Sequence, residues 1–100
     1  MVKVNWSRQA IENIFSIREY YLPISPKFAD EITDQIFSKE ALISAFPEAG
    51  RIVPELKNES LREVIFKNFR IIYMIFDSKN VSIVAVHTSS KPLSEISLFG

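Results

Sequence analysis

Three short segments decide the fold of this chain: residues 61–64 (LREV), residues 68–73 (NFRIIY) and residues 81–87 (VSIVAVH). Apolar, β-branched and aromatic side chains dominate them, and short polar turns lie between them, which is typical of β-strands joined in sequence order. The pattern predicts a three-strand antiparallel meander. Its charged side chains are the first place to look for function.

The predicted strands of the meander are residues 61–67, 69–76 and 81–88. We expect a tight turn at the first junction, with Asn68 in the left-handed conformation that asparagine tolerates. Residues 69–76 are apolar on both faces apart from Arg70. This segment is therefore predicted to be a central strand that is buried on both sides.

Two helices are predicted before the meander. Residues 7–22 carry apolar side chains at helical spacing behind Ser7, a good N-cap, and Ser25 with Pro26 begins a second helix. About two residues join the helices in this interpretation, so they should form an antiparallel hairpin. Pro47 and Gly50 end the second helix.

The first segment, residues 2–6, alternates apolar and polar side chains and is predicted to be a half-buried strand. The order is then strand, helix, helix and three strands, which indicates an α+β fold with the helices covering one face of a mostly antiparallel sheet. Residues 1–100 are expected to form one domain, with residues 89–100 as a tail of uncertain structure.

Two charged residues interrupt the apolar faces of the helices. Arg18 lies near the centre of the stripe of the first helix and Glu40 near the centre of the second. Long side chains of this kind can keep their charges at the helix edge. Asp30 or Asp34, across the turn, is the expected partner of Arg18.

Composition excludes several classes of protein. The chain has 100 residues, of which 47% are hydrophobic, and this is enough to bury a core without disulfides. It has no cysteine and one histidine, so no thiolate or histidine-rich metal site is expected, and no cofactor is predicted. The N-terminus lacks a signal-peptide pattern and no segment is long enough to span a membrane, so we expect a cytoplasmic protein.

The charge balance disfavours a general nucleic-acid binder. Twelve basic and twelve acidic residues give a formal net charge of zero, whereas proteins of that class usually carry a basic excess or a basic face. From Arg62 onward basic residues slightly outnumber acidic ones. This mild bias leaves phosphate binding as an alternative.

The order of elements and several short motifs resemble the ParE/RelE toxin superfamily, the toxin halves of bacterial type II toxin–antitoxin modules. The resemblance covers the chain to about residue 90 and implies a cognate antitoxin as partner. The residues that carry it are Trp6-Ser7, Pro47, Gly50-Arg51, Pro54-Glu55-Leu56, Arg62-Glu63, residues 68–73 and His87.

The superfamily has two functional branches. RelE-like members, including the YoeB-like ones, cut messenger RNA, mostly on the ribosome; characterised ParE-like members poison DNA gyrase. Arg62-Glu63 followed by NFRIIY is most similar to the ParE branch. The formal net charge of zero is also consistent with that branch. The resemblance therefore implies growth inhibition through DNA gyrase and a role in plasmid stabilisation. Ribosome-dependent mRNA cleavage is the alternative, and a degenerate antitoxin-binding module is a third.

The nuclease alternative assigns a role to three residues. By resemblance to the YoeB-like pattern, Glu55 would be the general base, Arg70 would steady the phosphate and His87 would belong to the terminal pair of the site. RNA cleavage needs a base, an acid and a charge stabiliser, and these three residues could supply them. Thr88 stands where the pattern has a tyrosine.

Structural roles are the competing hypothesis for the same residues. Glu55 would then be a solvated loop carboxylate, Arg70 would pair with Glu63 across the hairpin, and His87 would be a hydrogen-bonded strand residue. Tyr73 is expected in the core with its hydroxyl at the sheet edge. Trp6 is also expected in the core.

Partner binding is predicted at two places. One is the Arg62-Glu63 pair; the other is the apolar tail, where a disordered antitoxin segment could fold onto the domain as a strand or a helix. The predicted contact residues of the tail are Leu93, Ile96, Leu98 and Phe99.

Overall fold

The computed structural model describes residues 1–88. Its elements are β1 (Lys3–Trp6), α1 (Arg8–Tyr21), α2 (Pro26–Ala45), β2 (Arg51–Ile52), β3 (Leu61–Phe66), β4 (Phe69–Ile75) and β5 (Asn80–Thr88). The predicted α+β class is confirmed, and the predicted elements follow one another in the predicted order, with the two-residue strand β2 as an additional element. The predicted contacts at Leu93, Ile96, Leu98 and Phe99 lie outside the described residues.

The five strands form one mixed sheet in the order β1-β5-β4-β3-β2. β1 runs parallel to β5, whereas β2–β3, β3–β4 and β4–β5 are antiparallel. β4 is therefore the middle strand, and its first five residues are all buried. This agrees with the prediction from its apolar sequence.

Serine side chains begin both helices. The Ser7 hydroxyl accepts a hydrogen bond from the Ala10 N–H, and the Ser25 hydroxyl accepts one from the Phe28 N–H, each at 3.1 Å. Two residues, 23 and 24, separate the C-cap Leu22 from the N-cap Ser25, in agreement with the predicted connection of about two residues. The Tyr21 carbonyl accepts the N–H groups of both Ile24 and Ser25 and so turns the chain back. Of the helices within residues 1–88, none combines the length and hydropathy needed to cross a lipid bilayer.

The turn between β3 and β4 has two central residues, Lys67 and Asn68, as predicted. The positive φ of 54° falls on Lys67, however, and Asn68 has no positive φ. A positive φ at the first central position suits the twist of a tight hairpin, as in type II′ turns. The prediction that Asn68 takes the left-handed position was therefore wrong.

The helices pack on one face of the sheet and form the main core with it. The side chains of this core are apolar and come from α1, α2 and the strands β3, β4 and β5. The buried members include Ala10, Ile14, Ile32, Ile36, Ile43, Phe69, Ile71, Tyr73, Val81, Ile83 and Val86. Most of this core could be read from helical and strand periodicity.

A β-bulge shapes the other face of the sheet, called here the second face. The β4–β5 register changes between Ile72, which lies opposite Ala85, and Tyr73, which lies opposite Ile83. Val84 is the extra residue, and it lies with Ala85 in a second apolar cluster together with Val53, Leu61 and Ile72. A bulge of this kind turns two successive side chains toward the same face of the sheet, although strict alternation would place them on opposite faces.

Candidate functional site

The central contact of the candidate site joins Arg70 on β4 to Glu63 on β3. These residues lie diagonally across the hairpin, because Arg70 is opposite Ile65 and Glu63 is opposite Ile72. The Arg70 Nε donates to the Glu63 Oε1 at 2.6 Å, and the two side chains are 6% and 0% exposed. The predicted cross-strand pair is confirmed, and it is far more buried than a surface ion pair.

A second arginine approaches the same carboxylate. Arg51, on the two-residue edge strand β2, lies opposite Glu63 and donates from its Nε to the Glu63 Oε2 at 2.6 Å. Its side chain is 60% exposed, so it closes the solvent side of the contact. The sequence interpretation missed this role, because a strand of two residues gives no alternation from which a register could be deduced.

Glu55 completes the cluster from the loop after β2. Its two carboxylate oxygens accept hydrogen bonds from Arg70, the Oε2 from Nη1 at 2.8 Å and the Oε1 from Nη2 at 2.9 Å. Its side chain is 39% exposed. Glu55 is thus an exposed loop carboxylate, as the structural hypothesis expected, but it is also ion-paired, and its bidentate geometry holds the loop against the sheet.

Arg51, Glu55, Glu63 and Arg70 form what we call the charge cluster of the second face. Their formal charges cancel. The hydrogen bonds that Arg70 donates to Glu55 are the largest cause that raises the pKa of Arg70, and Glu63 raises it further, whereas burial lowers it. The guanidinium is therefore held firmly in its charged form, and all three of its nitrogens donate to carboxylates.

His87 lies next to the charge cluster. It is directly opposite Arg70 in the β4–β5 ladder and is half-buried, and Thr88 follows it as the last residue of β5. Opposite residues of neighbouring strands share a face of the sheet. The structure thus brings Glu55, Arg70 and His87, the three residues of the nuclease hypothesis, to one region of the second face.

Arg62 and Glu63, predicted together as partner contacts, diverge in the structure. Neighbouring residues of a strand point to opposite faces, so Arg62 is directed away from the charge cluster. Its guanidinium donates to the Glu59 carbonyl at 3.0 Å and to the Gly50 carbonyl at 3.3 Å. Glu63 is enclosed by Arg51 and Arg70. Of the predicted pair, Arg62 is therefore the residue whose side chain reaches the surface.

Tyr73 connects the middle strand to the chain that leads into β2. Its hydroxyl donates to the Pro47 carbonyl at 2.6 Å and accepts from the Gly50 N–H at 2.9 Å. The residue is fully buried, and burial is the main cause that raises the pKa of its phenol. The core prediction for Tyr73 is confirmed, and its hydroxyl is directed at the segment beside edge strand β2.

The two charged residues of the helical stripes also have partners. Arg18 bridges to Asp30 at 3.0 Å, one of the two predicted partners. Glu40 accepts a hydrogen bond from the Trp6 indole Nε1 at 2.6 Å. Trp6 is half-buried and its ring centroid lies 4.9 Å from that of Phe37, so it packs at the margin of the core and not within it.

A comparison with known families assigns this chain to a class, the small toxins of toxin–antitoxin modules. The family model described as ParE toxin of type II toxin-antitoxin system, parDE, matches residues 4–92. This chain therefore belongs to the ParE toxin family. It is a ParE-type toxin of a toxin–antitoxin system, and the family implies an antitoxin as partner.

A solved structure described as "Chromosomal ParDE TA system from P. aeruginosa" is similar to this chain. The TM-score is 0.73 at 18% sequence identity, and the match covers 88% of this chain and 96% of that chain. At this identity the likeness establishes the fold. No curated protein matches the chain significantly.

Proposed function

We propose that this toxin inhibits bacterial growth by binding DNA gyrase and does not cut RNA. One observation carries the proposal beyond family membership: the Arg70 guanidinium already donates to Glu55 and Glu63 with all three of its nitrogens. Arg70 is thus engaged within the protein. A cytoplasmic location and a contribution to plasmid stabilisation are parts of the same proposal.

The chemistry of RNA cleavage explains why the engagement of Arg70 with two carboxylates disfavours a nuclease. A general base must be free to take the proton of the attacking 2′-hydroxyl, and a cation must be free to stabilise charge on the phosphate. Both oxygens of Glu55 accept from Arg70, so base and cation satisfy each other at 2.8–2.9 Å. A phosphate would have to displace a bidentate carboxylate from a side chain that is 6% exposed.

A gyrase assay tests the proposal directly. The purified toxin should inhibit ATP-dependent supercoiling of a relaxed plasmid by DNA gyrase, and adding the antitoxin should restore supercoiling. In parallel, mRNA on translating ribosomes should show no new 5′ ends by primer extension after toxin is added. Cuts in ribosome-bound mRNA with unchanged gyrase activity would replace this proposal with the nuclease one.

A double variant separates the two functions in cells. Glu55→Gln with His87→Gln should remain toxic, because protein binding needs neither a general base nor an acid. In a nuclease each group would contribute roughly 100-fold or more to the rate. Glu59→Gln, at an exposed position of the same loop, is the matched control. Circular dichroism must first show that each variant is folded, and a folded but harmless double variant would contradict the proposal.

Ribosome-dependent mRNA cleavage is kept as a second candidate because of one observation. Glu55 and Arg70 are in contact, and His87 lies opposite Arg70 on the next strand. Thr88, where the YoeB-like pattern has a tyrosine, weighs against it. A degenerate module that binds only its antitoxin would leave both gyrase and mRNA untouched in the same assays.

The antitoxin contacts are proposed at Arg62 and at the apolar residues of the tail. Co-expression with an antitoxin encoded by the neighbouring gene, followed by a pull-down, tests the partnership. Arg62→Ala should weaken capture, whereas Arg8→Ala, an exposed arginine on α1, should not.

A further inference from the structure

A small cavity opens on the second face of the sheet, away from the charge cluster. Its volume is about 250 Å³, and its lining residues come from β1, from the end of β4 and from β5: Lys3, Asn5, Phe76, Asn80, Val81 and Ser82. Ser82 and His87 are five positions apart on β5, which is roughly 17 Å along an extended strand. The cavity is therefore separate from the residues of the nuclease hypothesis.

Strand alternation directs the polar side chains of β1 to this cavity. Val4 and Trp6 pack against the main core, so Lys3 and Asn5 point to the second face. The Asn5 amide reaches Ser82, which is its partner residue in the β1–β5 ladder. An ammonium group, an amide and a hydroxyl therefore line one small space.

The hydroxyl of Ser82 is buried and weakly bonded. Ser82 is 7% exposed, and its hydroxyl accepts from the Asn5 Nδ2 at 3.5 Å, which is longer than an ordinary N–H···O hydrogen bond. Within residues 1–88 its own O–H has no acceptor. Burial of a hydroxyl without a good partner costs free energy, so a ligand that accepts from Ser82 would recover that cost.

Lys3 supplies the one positive charge among the described lining residues. Its side chain forms no ion pair within residues 1–88. Asp77, the acid next to the lining in sequence, accepts instead from the backbone N–H groups of Lys79 and Asn80 and from the Asn80 amide. The Lys3 ammonium is therefore available to an anion.

The three donor groups match a single carboxylate. A carboxylate presents two acceptor oxygens and one negative charge, whereas a phosphate monoester carries a charge of about −1.5 to −2 near pH 7, which exceeds that of one lysine. Phe76 also lines the cavity and is 62% exposed. Its ring offers an apolar face to the rest of a ligand.

We propose that this cavity binds a small organic carboxylate, whose oxygens accept from Lys3, Asn5 and Ser82 and whose apolar body lies against Phe76. None of these residues belongs to the charge cluster. Such a site would operate whether or not the toxin acts on gyrase.

Benzoate is a suitable probe for the full-length ¹⁵N-labelled protein. Its titration should shift the amide cross-peaks of Asn5, Phe76 and Ser82 to saturation and leave those on the outer face of α1 unchanged. Benzamide, which has the same ring and no charge, should shift them little, and phenyl phosphate should bind more weakly than benzoate. Equal shifts with benzamide, tighter binding of phenyl phosphate, or unsaturable shifts spread over the lysines would each overturn the proposal.

Variants of the lining residues test the assigned contacts. Lys3→Gln should weaken benzoate binding about tenfold, the scale for losing one hydrogen bond to a charged group, whereas Lys27→Gln, exposed on α2, should not. Asn5→Asp should abolish binding because it adds a carboxylate beside the ligand, and Asn58→Asp, in the exposed loop before β3, is its control. Circular dichroism checks folding. Unchanged benzoate binding in folded Lys3→Gln and Asn5→Asp would overturn the proposal.

Discussion

Arg70 and Glu63 form a buried ion pair at 2.6 Å on the sheet face that the helices leave uncovered, and their side chains are 6% and 0% exposed. Burial of both charges makes each one dependent on the other. Glu55 and Arg51 then extend the pair to the loop and to the edge strand. The charge cluster therefore holds together the middle strand β4, the loop after β2 and the edge strand β2.

Arg70→Ala should be the most destabilising change in the charge cluster. It removes three donors and leaves the buried Glu63 with only Arg51, so we expect a loss of about 3–5 kcal/mol in the free energy of unfolding. Arg51→Ala should cost about 1 kcal/mol or less, because that side chain is 60% exposed. Urea denaturation of the two variants provides the comparison. Equal losses would mean that Arg70 has no special structural role.

Gly50→Ala should destabilise the junction between α2 and β2. A Cβ at Gly50 would lie 2.6 Å from the Tyr73 hydroxyl and 2.7 Å from the Glu63 carbonyl oxygen. The expected cost is about 1–3 kcal/mol, the range for overpacking. Adding Tyr73→Phe should relieve the contact with the hydroxyl, whereas the contacts with the Glu63 carbonyl oxygen and with the ring carbon Cε1, at 2.9 Å, remain. The double variant should therefore lose less than the sum of the single variants in thermal unfolding, and strict additivity would be inconsistent with this geometry.

Tyr73 should make stability depend on pH in the alkaline range. Burial raises the pKa of its phenol above the ordinary value of 10.0. The folded state therefore keeps this proton at pH values where the unfolded state loses it. Its contribution is fully present below pH 10 and is lost as pH rises through the folded pKa. Denaturant midpoints above pH 10 should fall less steeply for Tyr73→Phe than for the parent protein, and parallel curves would refute this.

Glu40→Ala should change the environment of Trp6 with little effect on stability. The carboxylate accepts the indole N–H at 2.6 Å in an exposed setting, so the expected loss is about 1 kcal/mol. Trp6 is the only tryptophan, so the emission maximum reports the environment of this side chain. Glu31→Ala, on the same helix, is the control and should leave the emission unchanged. A shift of equal size in both variants would show that Glu40 is not the partner.

The sequence by itself determined the elements and the main core. Ser7 and Ser25 mark both helix starts, helical spacing identifies Ile32 and Ile36 as buried, and the apolar run from Phe69 identifies β4 as the middle strand. These features depend on local hydrogen bonding and on periodicity, which adjacent residues encode. The pairing of Arg70 with Glu63 was predictable for the same reason, since one tight hairpin sets their register.

Tertiary structure alone decided the rest of the candidate site. Glu55 and Arg51 reach the charge cluster because a loop folds onto the sheet and a two-residue strand adds to its edge, and neither leaves a periodic signal. The bulge at Val84 and the left-handed φ of Lys67 are backbone adjustments that strand twist requires and that side-chain identity does not specify. Long-range contacts of this kind gain their free energy only when distant segments meet, so the order of residues determines the strands while the assembled sheet determines which charges neutralise one another.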